Sequence, residues 1–152
     1  MKKFKILLMA FGLIVSYQSF AQSYTQKYNS LLDRTEFFDS YGNMVGYAKE
    51  NSLLNQLEYY DSDGNLIKTV KHNDLLNRNE SYDSRGNQQG YSQYNSLLQQ
   101  REDYNSNGEE TYTKKWNSLL EQYDIYDSNG DQIGYYKYNS LLQSWEFYKS
   151  SY

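Results

Sequence analysis

The sequence predicts an all-β fold, an array of 22-residue β-hairpin repeats in an antiparallel meander, single-layer or solenoid-like. Asn-Ser/Asp-Leu-Leu recurs six times at a spacing of 22 residues, without insertion or deletion. A second pattern, aromatic-Asp-Ser-x-Gly-Asn in its fullest form, keeps the same period. A fixed period of this length indicates supersecondary units that bury their apolar faces against their neighbours. The repeats begin at Asn29, Asn51, Asn73, Asn95, Asn117 and Asn139.

The repeat from 51 to 72 shows why each unit is expected to be a hairpin. Asp61 can accept hydrogen bonds from the backbone two residues on, and Gly64 supplies the left-handed conformation that closes a type I turn with a bulge. The flanking segments are rich in Tyr, Leu, Ile, Thr and Val, are too short for helices and carry no helical apolar stripe. Residues 51–53 then form a second, shorter reversal into the next hairpin.

Symmetric pairing about both turns predicts which side chains share a face of the sheet. A one-residue slip would exchange the two faces, so this assignment depends on the turn geometry. The predicted face carries Leu54, Gln56, Glu58 and Tyr60 from the first strand and Leu66, Lys68, Val70 and His72 from the second.

An acidic residue recurs in the middle of the first strand of every repeat. In a parallel in-register stack these carboxylates would lie about 4.8 Å apart, whereas a meander doubles the spacing to about 9.6 Å. The row therefore favours the meander, with solvated and partly paired charges rather than a catalytic pair. The row consists of Glu36, Glu58, Glu80, Glu102, Asp124 and Glu146.

Residues 1–21 have the pattern of a secretory signal peptide. Lys2, Lys3 and Lys5 precede an apolar run from 6 to 15, and Ser19-Phe20-Ala21 fits a cleavage site. The run is too short to span a bilayer. We expect one repeat domain over residues 22–152, exported to the periplasm or secreted to the cell surface, and soluble.

Composition excludes several classes of function. There is no cysteine, so disulfides, thiolate metal sites and a lipoprotein cysteine are ruled out. Loss of the leader leaves 12 basic against 19 acidic residues, a formal charge near −7, which disfavours nucleic acid as a partner. Tyrosine is abundant and aliphatic residues are few apart from the leucine pairs, which supports a thin apolar layer.

Residues 59–66 and 37–47 resemble the hairpin repeats of choline-binding and glucan-binding cell-wall proteins, which run aromatic-aromatic-Asp-Ser-x-Gly-x-Met/Leu. That resemblance implies a β-solenoid whose aromatic residues bind choline or sugar. The Tyr-Asp-x-x-Gly core is also similar to the tyrosine-aspartate repeats of bacterial surface and toxin proteins, which form walls. A weaker similarity, from Ser52 to Glu58 and at Gly64-Asn65, is to curli-type amyloid subunits, although Glu58 stands where that family has Gln.

The candidate ligand-binding residues are aromatic. Exposed aromatic rows on a rigid sheet suit sugar rings or quaternary ammonium groups, each contributing about 0.5–2 kcal/mol with gains from multivalency. The alternative is that the rings pack over glycine and leucine to stabilise the sheet. The candidates are Tyr47, Tyr91 and Tyr135, which follow glycines, and Tyr94, Trp116 and Tyr138, which precede the Asn of the next repeat.

Catalytic and metal sites are not expected. The turns at 61–65 and 127–131 resemble a fragment of a calcium loop but lack its downstream bidentate acid. His72 is the only histidine and has no second ligand type at a fixed spacing. No nucleophile-base pair or phosphate loop is present, so we expect neither enzyme activity nor a cofactor.

The predicted function is a secreted, non-enzymatic repeat protein that presents a tyrosine-rich surface to an extracellular polymer, a cell envelope or a partner protein. The alternative is a structural or fibre subunit that self-associates through open sheet edges, because an uncovered edge strand is a template for another chain.

Overall fold

A computed structural model describes residues 25–150, which form twelve β-strands. The predicted signal peptide lies outside the described residues. The strands are β1 (Thr25–Asn29), β2 (Arg34–Phe38), β3 (Met44–Asn51), β4 (Gln56–Asp61), β5 (Leu66–Asn73), β6 (Arg78–Asp83), β7 (Gln88–Asn95), β8 (Gln100–Asn105), β9 (Glu110–Asn117), β10 (Gln122–Asp127), β11 (Gln132–Asn139) and β12 (Ser144–Lys149).

Each strand pairs antiparallel with the next, and β1 also pairs with β12, so the sheet closes into a barrel. At the closure Gln26 stands opposite Trp145, and Lys27 stands opposite Ser144. The predicted all-β meander of hairpins is confirmed, while the closure is a feature that the repeat pattern did not reveal. Closure also occupies the edges of the described sheet, on which the self-association alternative depended.

The turns between the two strands of each hairpin lie along one rim of the barrel. In the second repeat Asp61 N–H donates to Asn65 O at 3.0 Å, and Gly64 N–H donates to Asp61 O at 3.2 Å. Gly64 has φ of 88°, the left-handed conformation that the sequence predicts at this position. The predicted turn is therefore confirmed, and we call this end of the barrel the turn rim.

The Asn-Ser/Asp-Leu-Leu corners lie along the opposite rim. In the second repeat Asn51 Oδ1 accepts a hydrogen bond from Leu54 N–H at 3.1 Å. The residue after the leucine pair has a left-handed backbone in every repeat, with φ between 47° and 51°. These residues are Asp33, Asn55, Asn77, Gln99, Glu121 and Gln143.

A β-bulge beside each turn overturns the predicted assignment of faces. Tyr60 stands opposite Leu66, but Tyr59 stands opposite Lys68, so two residues of β5 face one residue of β4. Because of this extra residue, the later side chains of β5 lie on the opposite face from the one that symmetric pairing predicts. The prediction was wrong in consequence: Lys68, Val70 and His72 share a face with Leu57 and Tyr59, not with Glu58.

The face that carries Tyr59 lines the lumen, and its apolar side chains form one core. Phe37 stacks on Tyr59 with ring centroids 6.1 Å apart, and Tyr136 packs on Phe147 at 4.9 Å. The core draws on β2–β4 and β10–β12, and its members are Phe37, Ala48, Leu57, Tyr59, Ile125, Tyr136 and Phe147. The acidic row therefore lies on the outer face.

Replacement of Gly64 by valine should be among the more damaging single changes. A β-branched side chain in the left-handed conformation is strained, at a cost of about 1–3 kcal/mol. We expect the melting temperature to fall by several degrees in thermal circular dichroism. Gly64→Asn is the matched control, because Asn tolerates this conformation better; equal losses for the two variants would contradict the turn assignment.

Candidate functional site

Each acidic residue of the outer face connects a corner to the strand that follows it. Glu58 Oε1 accepts from Asn51 Nδ2 at 2.8 Å and from Gln56 Nε2 at 2.6 Å. Its Oε2 accepts from the Tyr60 hydroxyl at 2.6 Å. The bond from the corner Asn to the acid recurs in all six repeats, at 2.8–3.1 Å. Each carboxylate is thus a structural hub.

The hub adapts where the repeat sequence changes. Arg34 takes the place of the glutamine and donates to Glu36 Oε1 through Nε at 2.9 Å and Nη2 at 2.7 Å. Where aspartate replaces glutamate, at Asp124, Gln132 Nε2 donates from the neighbouring strand at 3.2 Å. In both repeats the carboxylate still accepts hydrogen bonds from neighbouring side chains.

These hydrogen bonds favour the charged form of Glu80. Hydrogen bonds from Tyr82 and Arg78 lower the pKa of Glu80 below its ordinary value. The hydrogen bond to Glu58, with some burial, raises the pKa of Tyr60 to about 12. An ionised carboxylate that already accepts several hydrogen bonds suits structural bonding better than proton donation.

Three of the predicted ligand-binding tyrosines lie on the outer face and stack on the next hairpin. The centroid distances are 4.8–5.1 Å and the ring planes differ by 13–15°. The guanidinium of Arg34 lies 4.2 Å from the Tyr47 centroid, and that of Arg78 lies 4.1 Å from the Tyr91 centroid. This packing favours a stabilising role for these rings, and polymer binding by them stays a prediction. The stacked pairs are Tyr47 with Tyr60, Tyr91 with Tyr104 and Tyr135 with Tyr148.

The other three predicted residues, Tyr94, Trp116 and Tyr138, lie on the lumen face beside the corners and remain exposed. Trp116 contacts Tyr123 with ring centroids 4.7 Å apart, and Tyr138 contacts Trp145 at 5.4 Å. The six candidates are therefore divided between the two faces of the sheet. The structure does not bring them together into one site.

The leucine pairs form an exposed apolar ring, which we call the leucine rim. The first leucines are 89–94% exposed and the second are 49–57% exposed. The sequence predicts corners here without predicting an exposed ring, although the recurrence of the leucine pair in all six repeats is a signal for one. The rim comprises Leu31, Leu53, Leu75, Leu97, Leu119 and Leu141, followed in the chain by Leu32, Leu54, Leu76, Leu98, Leu120 and Leu142.

The two rims differ in charge. On the outer face, two residues before a corner Asn, stand the exposed lysines Lys27, Lys49, Lys71, Lys115 and Lys137, which we call the lysine belt. At the opposite end, the turns and the strand ends beside them carry Asp39, Asp61, Asp63, Asp83, Glu109, Glu110, Asp127 and Asp131. The corners also carry the exposed acids Asp33, Asp74 and Glu121, so the leucine rim is bordered by charges of both signs, whereas the turn rim is mainly acidic.

In the turn at 61–65, the carboxylate oxygens of Asp61 accept hydrogen bonds from within the turn itself. Asp61 Oδ1 accepts from the backbone of Asp63 at 3.0 Å and of Asn65 at 2.8 Å, and Oδ2 accepts from Asn65 Nδ2 at 2.9 Å. Within residues 25–150, no group of three or more His, Cys, Asp or Glu side chains is placed to hold a metal ion. His72 is exposed and its Nδ1 lies 2.8 Å from Asn79 Oδ1.

No family model matches the chain, and no curated protein matches it. A solved structure of an Arabidopsis thaliana protein is similar in fold, with a TM-score of 0.65 and 10% sequence identity. The match covers 88% of this chain and 83% of that chain. At this identity the similarity concerns the fold alone. Among the described residues, no helix is long and apolar enough to cross a membrane.

Acid should weaken the fold through the carboxylate hubs. Since folding lowers the pKa of Glu80 from 4.5, its contribution to stability is complete above pH about 4.5 and is lost as the pH falls through the lowered value. We expect Glu80→Gln to melt several degrees below the parent protein at pH 7, with the difference shrinking as the pH approaches 3. Asp63→Asn, at an exposed turn, is the acid-to-amide control. A pH-independent difference for Glu80→Gln would contradict the role of the charged hub.

Proposed function

We propose that this protein is an exported, non-enzymatic binding module that docks on a lipid bilayer of the cell envelope through its leucine rim. The observation that carries the proposal is the exposure of the six leading leucines, 89–94% in every repeat. An exposed apolar patch that recurs on one side of a protein marks an interaction surface.

In the second repeat folding accounts for Asn51 and Asn55 but not for the leading leucine of the pair. Asn51 closes the corner with its side chain, and Asn55 adopts the left-handed backbone that the reversal needs. The Leu53 side chain is 91% exposed, so its burial contributes little to the fold. Polar residues ordinarily occupy such positions, which leaves an intermolecular contact as the reason for leucine.

The arrangement of the corners favours a flat apolar phase as the partner. A corner occurs at every second strand around one end of a closed barrel. With strands about 4.8 Å apart, neighbouring corners are separated by about 10 Å. A ring of separate apolar tips can enter a bilayer simultaneously, whereas a protein partner would need a matching circle of pockets.

The residues behind the leucines suit the polar-apolar boundary of a bilayer. Tyr94, Trp116 and Tyr138 are exposed just inside the rim, and such amphipathic rings favour the level of the lipid headgroups. The lysine belt can extend its ammonium groups toward headgroup phosphates. The acidic turn rim faces away, so an anionic bilayer would repel that end and orient the barrel.

The apolar contribution is large enough for reversible docking. Complete burial of one leucine side chain contributes roughly 1.5–3 kcal/mol. Six tips entering together would then contribute on the order of 10 kcal/mol, before the costs of association. The loss of a single tip should weaken binding by about tenfold, and the loss of several should abolish it.

Vesicle flotation tests the proposal. The chain from Gln22 onward, the form expected after export, contains the whole closed sheet without the apolar leader. We expect it to float with vesicles of phosphatidylcholine containing about one-fifth phosphatidylglycerol. Changing the six leading leucines to asparagine should abolish flotation and leave the melting temperature nearly unchanged, because these side chains are already in water.

Tyr41→Asn removes an exposed aromatic from the turn rim, where Tyr41 is 80% exposed, and should not affect flotation. If the parent protein does not float, or if the six-leucine variant floats equally well, the bilayer is not the partner. Sedimentation velocity without vesicles would then show whether the rim joins two copies, as a dimer that the leucine changes dissociate.

A further inference from the structure

The polar half of the lumen holds a cluster of charged side chains. Lys68 on β5, Asp103 on β8 and Lys114 on β9 are all at most 9% exposed. Arg101 on β8 is partly buried beside them and stands opposite Lys114 across the strand pair. The outer hubs do not include these four residues, and the apolar core lies on the other walls.

The cluster holds three cationic side chains and one carboxylate, and their contacts are loose. Lys114 Nζ and Asp103 Oδ2 form an ion pair at 3.4 Å, while neither Asp103 oxygen accepts a hydrogen bond among the described residues. Lys68 Nζ lies 5.3 Å from the centroid of the Tyr59 ring and has no hydrogen-bond partner among the described residues. Among the described residues, Arg101 Nε and Nη1 also have no hydrogen-bond partner.

The four groups form one electrostatic unit across the lumen. Burial lowers the pKa of Lys68 to about 7, while Asp103 opposes this effect and Lys114 adds to it. Burial likewise lowers the pKa of Lys114. The Asp103 carboxylate opposes this shift, and the Arg101 guanidinium adds to it. A buried unpaired cation is costly, and the cost is relieved either by loss of a proton or by a counter-ion.

The wall between Lys68 and Arg101 is made of small residues. Ser81 on β6 stands opposite Gly90 on β7, and Ser92 stands opposite Asp103. Both serines are at most 4% exposed. Lys68 on β5 and Arg101 on β8 thus flank a stretch of wall whose central side chains are small.

We propose that the polar half of the lumen binds a phosphate-type oxyanion, with Lys68 and Arg101 as its donors and Lys114 held in place by Asp103. A bound anion favours the charged form of Lys68, and Arg101 supplies a permanent second charge, so the occupied site matches a divalent oxyanion better than a monovalent carboxylate. Donors that are charged and removed from bulk water form strong hydrogen bonds to such an ion.

Isothermal titration calorimetry with inorganic phosphate at pH 7 and constant ionic strength tests this site. The chain from Gln22 onward should bind one phosphate saturably, and acetate should bind at least tenfold more weakly. Lys68→Met and Arg101→Leu should each weaken phosphate binding at least tenfold. Lys49→Met, which removes an exposed lysine of the outer belt, is the matched control and should bind as the parent does.

Stability provides the second readout. Phosphate should raise the melting temperature of the parent protein, because a ligand that binds only the folded state stabilises it. Lys68→Met loses a buried unpaired charge and should therefore melt no lower than the parent in phosphate-free buffer, yet show no phosphate-dependent rise. Absence of saturable phosphate binding by the folded parent, or undiminished binding by both lumen variants, would overturn the proposal. Vesicles are absent throughout, so the result is independent of docking by the leucine rim.

Discussion

The structure depends on the asparagine that begins each repeat. The Asn51 side chain accepts a backbone hydrogen bond within the corner through Oδ1 and donates to Glu58 through Nδ2. One side chain thereby fixes both the shape of the reversal and its position relative to the strand that follows. Because the corner is closed from its polar side, the leucines need not turn inward to stabilise it and can point into solvent.

A second constraint, the bulge beside each turn, decides what the lumen contains. The extra residue in β5 turns Lys68 and Val70 inward and leaves Thr69 outside, opposite Glu58. Bulges also increase the local twist of a strand pair, and one recurs in every complete hairpin from β2 to β11. Repetition of a strongly twisted unit is consistent with a sheet that curls until β1 meets β12.

Much of the fold could be predicted from the sequence because the signals are local. The period, the left-handed glycine and the Asx chemistry of Asp61 lie within one repeat, so hairpins and an antiparallel meander follow. Symmetric pairing could not predict which β5 side chains face the lumen, because the bulge places two residues of β5 opposite one residue of β4. Closure pairs Gln26 with Trp145, residues from opposite ends of the described chain. The sequence of a single repeat contains no signal for that pairing.

The candidate site shows a different limit of sequence reasoning. The sequence predicts that Tyr47 presents an aromatic surface to a ligand, but Tyr60 of the neighbouring hairpin stacks on that ring. The sequence places Leu53 in a reversal, and only the closed sheet shows that the leucines of these reversals form an exposed ring at one rim. Symmetric pairing puts Lys68 on the face of Glu58, so it does not reveal the cluster of cations in the lumen.

The lumen and the leucine rim both require a closed sheet, and the absence of native cysteines allows closure to be tested directly. Lys27 and Ser144 stand opposite each other where β1 meets β12, so the double variant Lys27→Cys, Ser144→Cys should oxidise to an intramolecular disulfide. At low protein concentration, the account predicts a monomeric species with no free thiol and a raised melting temperature. Lys27→Cys with Gln100→Cys, on β1 and β8, should keep its thiols. Free thiols or disulfide-linked oligomers in the first variant would contradict closure.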